Sequence, residues 1–280
     1  MARGSVTSKV VEAQPRVRRG YFECRYGQLH VSNAIPPGGG FEEGTSLLCL
    51  HKVPTSGRVF ERFLELAGRD RSVYAPDLPG CGESDAPPMR PAIGDYAGAI
   101  GDFLDSMRFR QIDVLGYQAG APIAAELAIS RPTQIRRVVL VSVPAVTDAD
   151  REAFRRFSAA GAPTADGSHL ASEWARIRDA YGPGVPVETL AKAFAEKLHS
   201  GPQGAWGMAA ALQYPAKERL GLMTQPTLVL RPKDETWEAA QRVREVLPKA
   251  RTMELPDQGP GLFEVAPAAA WDAIRDFLRG

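Results

Sequence analysis

Only three cysteines, Cys24, Cys49 and Cys81, occur in the 280-residue chain, all near its start and without CxxC spacing. Such a pattern gives no basis for a thiolate metal site, and buried, reduced thiols are the expectation, with a disulfide or a reactive thiol as the alternatives. No apolar run approaches the roughly 18 residues that a membrane-spanning helix needs. The stretch Met1 to Gly20 has no apolar core of a secretory leader, so a cytoplasmic protein without membrane association is expected. An excess of one charge is missing too: Lys+Arg total 34 and Asp+Glu 33, a formal net charge of +1. This gives no electrostatic case for a nucleic-acid partner and points to a small, largely apolar ligand. The four histidines, His30, His51, His169 and His199, are scattered without i, i+4 spacing, so no metal site is expected. No G-x-G-x-x-G follows a strand, and no cofactor is expected.

What the chain does have is enough apolar content, 44%, to bury one substantial core. The basic segment 1–18 reads as a flexible tail. Alternation around Tyr21, Cys24, Leu29 and Val31 predicts a hairpin turning at Gly27, and 36–44 is a loop by composition. Short apolar runs at Ser46 to Leu50, Ser72 to Ala75, Val114 to Leu115, Val138 to Val143, Thr227 to Leu230 and Arg251 to Leu255 predict buried strands. Helical patterns at Arg58 to Ala67, Ile93 to Met107, Trp237 to Leu247 and Ala268 to Leu278 interleave with them, which implies a mostly parallel sheet covered on both faces. Between Pro144 and Pro215 the alternation stops. Helices are predicted there at Asp148 to Ala160, Leu170 to Ala180, Val187 to His199 and Gln203 to Leu212, which together read as a lid.

The central stretch is Asp113 to Pro132: an apolar strand, a turn flanked by Gly116 and Gly120, and an amphipathic helix ending at Pro132. This is the layout of a nucleophile elbow, G-x-S-x-G, in which a strained turn lifts a serine above the sheet. Here the letters run Gly116-Tyr117-Gln118-Ala119-Gly120. Three further segments follow the same plan: His51-Lys52-Val53-Pro54-Thr55-Ser56-Gly57, Asp77-Leu78-Pro79-Gly80-Cys81-Gly82-Glu83-Ser84-Asp85, and Pro256-Asp257-Gln258-Gly259-Pro260-Gly261-Leu262-Phe263-Glu264. In these segments and their order the chain resembles the α/β-hydrolase superfamily, of the capped type that includes epoxide hydrolases, haloalkane dehalogenases and C–C hydrolases.

The resemblance implies an α/β-hydrolase fold with core residues 19–143 and 216–280 and a helical cap over 144–215. It also assigns roles. Gln118 stands where the nucleophile belongs, and its neutral amide is neither nucleophile nor base. The triad acid maps to Asp234; the alternative position after the strand ending at Val141 offers only Val143 or Pro144. The triad histidine maps to Pro260, which has no titratable group. The oxyanion hole maps to the backbone N–H groups of Val53 and Ala119. Lys52 replaces a small glycine beside it and is either a solvated loop lysine or a charge at the pocket. His51 is either a structural histidine of the wall or a catalytic acid or base. Tyr117 either packs or projects a phenol toward the pocket. Asp77 supports its loop. Phe154, Phe157, Trp174, Tyr181, Phe194, Trp206, Met208 and Tyr214 pack the lid or line the cleft beneath it.

Together these residues point to a non-hydrolytic enzyme without a covalent nucleophile, with Gln118, His51 and Asp234 as its catalytic candidates. Its substrate would be small, mainly apolar and carbonyl-containing, and its reaction a cyclisation, rearrangement, elimination or decarboxylation, by analogy in secondary metabolism. Two rivals stand beside it: a silent pseudoenzyme that binds a ligand, and an atypical hydrolase in which Asp234 or His51 activates water. The sequence allows a homodimer without requiring one.

Overall fold

In a computed structural model the chain is described over residues 14–38, 44–158 and 163–280. Most of the expected tail over 1–18, part of the loop over 36–44 and the end of the helix expected over 148–160 lie outside these residues. The strands are β1 (Arg18–Cys24), β2 (Gly27–Ala34), β3 (Gly44–Leu50), β4 (Arg71–Pro76), β5 (Ile112–Tyr117), β6 (Ile135–Val141), β7 (Thr227–Pro232) and β8 (Arg251–Leu255). They form one sheet in the order β1-β2-β4-β3-β5-β6-β7-β8. β2 pairs antiparallel with β1 and with β4, and every later pairing is parallel. The hairpin turns at Gly27, whose φ of 110° a side chain would resist.

Helices α1 (Glu61–Ala67), α2 (Ile93–Ser106) and α3 (Gly120–Ser130) follow β3, β4 and β5. Between β6 and β7 come α4 (Asp148–Ser158), α5 (Ser168–Tyr181), α6 (Val187–His199), α7 (Trp206–Gln213) and α8 (Ala216–Leu220). After β7 come α9 (Trp237–Gln241), α10 (Val243–Val246), α11 (Leu262–Val265) and α12 (Pro267–Arg279). The segment expected as one helix over Trp237 to Leu247 is thus two short helices.

The central strands are buried on both faces, which is why they read as unbroken apolar runs. One core layer packs Ile100, Phe103, Ile123 and Leu127 of α2 and α3 against Leu48, Val114 and Leu140. The other packs Phe63, Phe263, Trp271 and Ile274 against Cys49, Leu115 and Val139. Here Phe63 and Phe263 meet edge to face at 5.1 Å. Cys49 and Cys81 are free and buried, and Cys24 is free and half-buried. No helix of the described residues is long and apolar enough to cross a membrane.

The candidate active site at the elbow

Gln118 occupies the tip of the turn between β5 and α3 with φ 52°, a left-handed conformation that costs a non-glycine residue about 1–3 kcal/mol. Its N–H donates to Val141 O at 2.8 Å and its carbonyl accepts from Ala121 N at 2.9 Å, so the strained backbone is held from both sides. The flanking glycines are required by space. A Cβ on Gly116 would lie 2.3 Å from Gly120 O, and one on Gly120 would lie 2.2 Å from Leu50 O. Gly116 thus lets the end of β5 approach the start of α3, and Gly120 lets that start pack against the end of β3.

Above the turn is a cavity of about 1070 Å³, enclosed by the helices that separate β6 from β7 and floored by the strand ends. Lys52, Val53, Tyr117 and Gln118 line it, as do Glu235, Pro260 and Gly261. Ala119 lies behind Gln118 as the residue that caps α3, where the first N–H groups of a helix have no intrahelical acceptor.

The side-chain amide of Gln118 donates from Nε2 to Glu235 Oε1. Glu235 was not anticipated; the expectation fell one residue earlier, on Asp234. The structure corrects this. Asp234 turns away from the cavity and is held by three hydrogen bonds: from Ser142 Oγ at 2.6 Å, Thr236 Oγ1 at 2.6 Å and Thr236 N at 2.9 Å. Burial raises the Asp234 carboxyl, against the opposing pull of Ser142 and Thr236. Burial, reinforced by the negative charge of Asp234, pushes the Glu235 carboxyl up to about 7. The carboxyl group that faces the cavity is therefore raised toward neutrality, chiefly by burial, with the Asp234 charge adding to it.

Ser142 was also missed. It sits at the position after Val141 and adopts φ 54°, which ends β6 two residues earlier than the apolar run suggests. The expected run through Val143 is broken because Ser142 turns its hydroxyl toward Asp234.

His51 is corrected from catalytic candidate to structural residue. Its side chain is fully buried, Nδ1 donates to Lys52 O at 2.7 Å, and Nε2 accepts from Leu78 N at 2.8 Å. Accepting at Nε2 requires the neutral tautomer, and burial lowers the imidazole pKa accordingly. Both nitrogens are committed to joining two loops, so neither can serve a substrate. Asp77 holds one of those loops by accepting from His30 Nδ1 at 2.9 Å, Gly57 N at 2.7 Å and Glu83 N at 2.9 Å.

Lys52 lines the cavity, and its ammonium is held there in an ion pair. Its Nζ lies 2.6 Å from Glu264 Oε1 and donates to Tyr181 Oη at 3.0 Å, with the Tyr117 and Tyr181 rings 5.3 Å and 4.9 Å away. Burial alone would depress the ammonium, but Glu264 and the two tyrosines outweigh it and hold it well above the usual lysine range. Tyr181 in turn donates to Glu264 Oε1 at 2.9 Å. The cavity floor thus combines a fixed cation, a strained neutral amide and a carboxyl near its midpoint. Such a set can orient a polar group and exchange a proton with it. Among the described residues no group of three His, Cys, Asp or Glu side chains could hold a metal ion.

A family model described as "alpha/beta hydrolase fold" matches residues 45–267. Among curated relatives, epoxide hydrolase B of Mycobacterium tuberculosis is 32% identical over 126 residues, covering 44% of this chain and 35% of that protein. The 2-hydroxymuconate semialdehyde hydrolase of Pseudomonas putida is 38% identical over 81 residues, covering 27% of each. The matched part of this chain spans about a third or less of the length of these relatives. Among solved structures, the enol-lactonase of Burkholderia xenovorans superposes with a TM-score of 0.76 at 16% identity, covering 93% of this chain and 100% of that one. A hydrolase of Pseudomonas aeruginosa superposes with 0.76 at 19%, covering 94% and 99%. The eight-stranded sheet, the elbow between β5 and α3, and the match across most of the sequence agree: this chain belongs to the α/β-hydrolase fold family.

Proposed function

We propose that this protein is an enzyme that uses the α/β-hydrolase fold without a covalent nucleophile, and that its reaction is proton transfer at carbon beside a carbonyl group. The observation that carries the reading is the contact between Gln118 at the elbow tip and Glu235, whose carboxyl lies near 7. An amide cannot attack a substrate, but it can orient a carboxylate that acts as a base at physiological pH.

In this mechanism the substrate carbonyl oxygen lies against the N–H groups of Val53 and Ala119. Glu235 takes a proton from the carbon next to the carbonyl; the C–H pair becomes the C=C bond of an enolate, and the negative charge collects on the oxygen facing those donors. The enolate then accepts the proton from Glu235 at a different carbon, giving an isomer, or attacks a second carbonyl carbon of the same molecule, whose C=O π pair moves to its oxygen and takes the proton from Glu235, giving a hydroxylated ring. Either outcome needs no serine and no external reductant or oxidant. Partial enclosure of the site strengthens its electrostatic contacts relative to bulk water, while Glu235 stays open to exchange its proton with solvent. Lys52 supplies a cation on the same wall, and Tyr117 supplies an apolar surface.

The test does not require the natural substrate. Aliphatic and aryl ketones are incubated in deuterium oxide, and deuterium entry beside the carbonyl is followed by proton NMR. Exchange faster than in buffer, lost in Glu235→Gln, is the expected result; no enhancement for any ketone of the panel sinks the reading. A second reading, in which Glu235 activates water for hydrolysis, is favoured by the same carboxyl near 7 and by the hydrolase names of the relatives. Turnover of esters, lactones or epoxides that disappears in Glu235→Gln would select it instead.

A further inference from the structure

The wall of the cavity formed by α5 changes character along its length. Ser168, Ser172, Glu173 and Arg176 line the cavity toward the start of the helix, and Ile177 and Tyr181 line it toward the end. Tyr181 reaches Lys52 and Glu264 beside the elbow, so the polar end of this wall is the one remote from Gln118. Arg176 and Tyr181 are five positions apart, which is about 7.5 Å along a helix axis.

At that remote end one carboxylate holds two cations. Glu173 Oε1 accepts from Arg176 Nη2 at 2.5 Å and lies 2.9 Å from Lys197 Nζ on α6, while Arg176 Nε donates to Glu173 Oε2 at 3.2 Å. The carboxylate is the most enclosed of the three: its side chain is 12% exposed, against 21% for Lys197 and 32% for Arg176. All three side chains line the cavity, and the two cations are more open to it than the carboxylate that joins them. Burial holds the Lys197 ammonium below the usual lysine range despite its bond to Glu173, and the adjacent Arg176 adds to the effect. Two like charges have been brought together with only one opposite charge to compensate them, and the local sum is one positive charge.

We infer that Arg176 and Lys197 form an anion-binding subsite that recognises a single carboxylate at the end of the substrate opposite its reacting carbonyl. One uncompensated charge suits a monoanion and not a polyphosphate. Glu173 takes the Nε and Nη2 edge of the guanidinium, so the donors left for a ligand carboxylate are those of Nη1, the second N–H of Nη2 and Lys197 Nζ, and charge-assisted bonds of this kind are about twice as strong as neutral ones. The inference rests on the cavity being the substrate site and defines the substrate class as an apolar keto acid or related acyl carboxylate. The apolar stretch between the subsite and the elbow includes Ile177 and Met208.

The experiment is a binding titration on the full chain by calorimetry, with decanoate and its neutral counterpart decanamide as probes. The wild-type protein is expected to prefer decanoate by roughly tenfold, the scale of one charge-assisted interaction. Arg176→Gln combined with Lys197→Met is expected to abolish the preference, and Arg176→Lys to retain most of it. Glu173→Gln leaves two uncompensated cations and is expected to raise the preference several-fold, a gain that misfolding cannot produce. Equal binding of the two probes by the wild-type protein overturns the subsite. So does a preference that survives the double substitution, or one that Lys52→Met alone removes. None of these readouts requires turnover, so failure here leaves the Glu235 exchange experiment intact, and the reverse holds as well.

Discussion

Ser142 Oγ donates a 2.6 Å hydrogen bond to Asp234 Oδ2, tying the end of β6 to the end of β7 directly behind the carboxyl group that faces the cavity. Through that bond Ser142 acts indirectly on the carboxyl that lines the cavity. Asp234 raises Glu235 by its negative charge, and Ser142 favours that charge on Asp234.

Removing the charge of Asp234 should therefore move Glu235 in a defined direction. In Asp234→Asn the Glu235 carboxyl is expected to titrate below its wild-type position near 7, while burial keeps it above an ordinary glutamate. Carboxyl carbon chemical shifts followed against pH measure this. An unchanged midpoint would show that Asp234 does not act on Glu235.

Stability should fall as pH rises through the interval set by Glu235. Its ordinary value is 4.5 and its folded value about 7, so between these the folded state carries a proton that the unfolded state has lost. The unfolded state then binds fewer protons, and the unfolding free energy declines with pH. This contribution is present below about pH 4.5 and lost as pH rises through about 7, and solvent at the exposed Glu235 screens it. Urea titrations at pH 5 and pH 8 should show this loss in the wild-type protein and a smaller one in Glu235→Gln.

Gln118→Ala and Gln118→Gly delete the same contact with Glu235 but differ in the cost of φ 52°. Glycine adopts that conformation without the Cβ penalty, although it loses more freedom on folding. The glycine variant is expected to be the more stable of the two by about 0.5–1 kcal/mol in chemical denaturation. In both, loss of the Gln118 hydrogen bond, which lowers the Glu235 carboxyl, should move its midpoint upward.

Lys52→Met strands Glu264, whose Oε2 is already buried without a partner. Breaking an enclosed ion pair from one side typically costs about 3–5 kcal/mol. A loss of 2 kcal/mol or more is expected here, given residual side-chain exposures of 11% and 15%. Lys52→Met with Glu264→Gln should recover part of it. Thermal melts of the single and double variants give the coupling directly, and strictly additive losses would mean that the pair is not coupled.

The fold was legible because its signals are local and periodic. Val187 to His199 reads as a helix from spacing alone and is α6, and Arg251 to Leu255 reads as β8 without a shift at either end. The elbow was legible because Gly116 and Gly120 are imposed by backbone contact distances. The site was only half legible. Lys52 and Tyr117 neighbour recognisable motifs, which made them candidates for the pocket without deciding between pocket and packing, whereas Glu235 and Asp234 differ only in which way adjacent side chains point, a property set by the hydroxyls of Ser142 and Thr236. The pairing of Glu173 with Lys197 joins two helices and leaves no mark in either one's periodicity. His51 showed the opposite failure: a histidine in a functional motif invites a chemical role, yet both nitrogens are spent on neighbouring backbone. One signal for Glu235 was present, namely two consecutive acids after a strand that ends at the mouth of the sheet.

The clearance around the elbow has a consequence for how such a protein changes over generations. Positions 116 and 120 are closed to any side chain by backbone oxygen atoms, while the side chain at 118 lines the cavity above them. Selection acting on the first two preserves the scaffold, and selection acting on the third can exchange one reactive group for another without renegotiating it. The turn is a socket: its shape is inherited, and the chemistry fitted into it is replaceable.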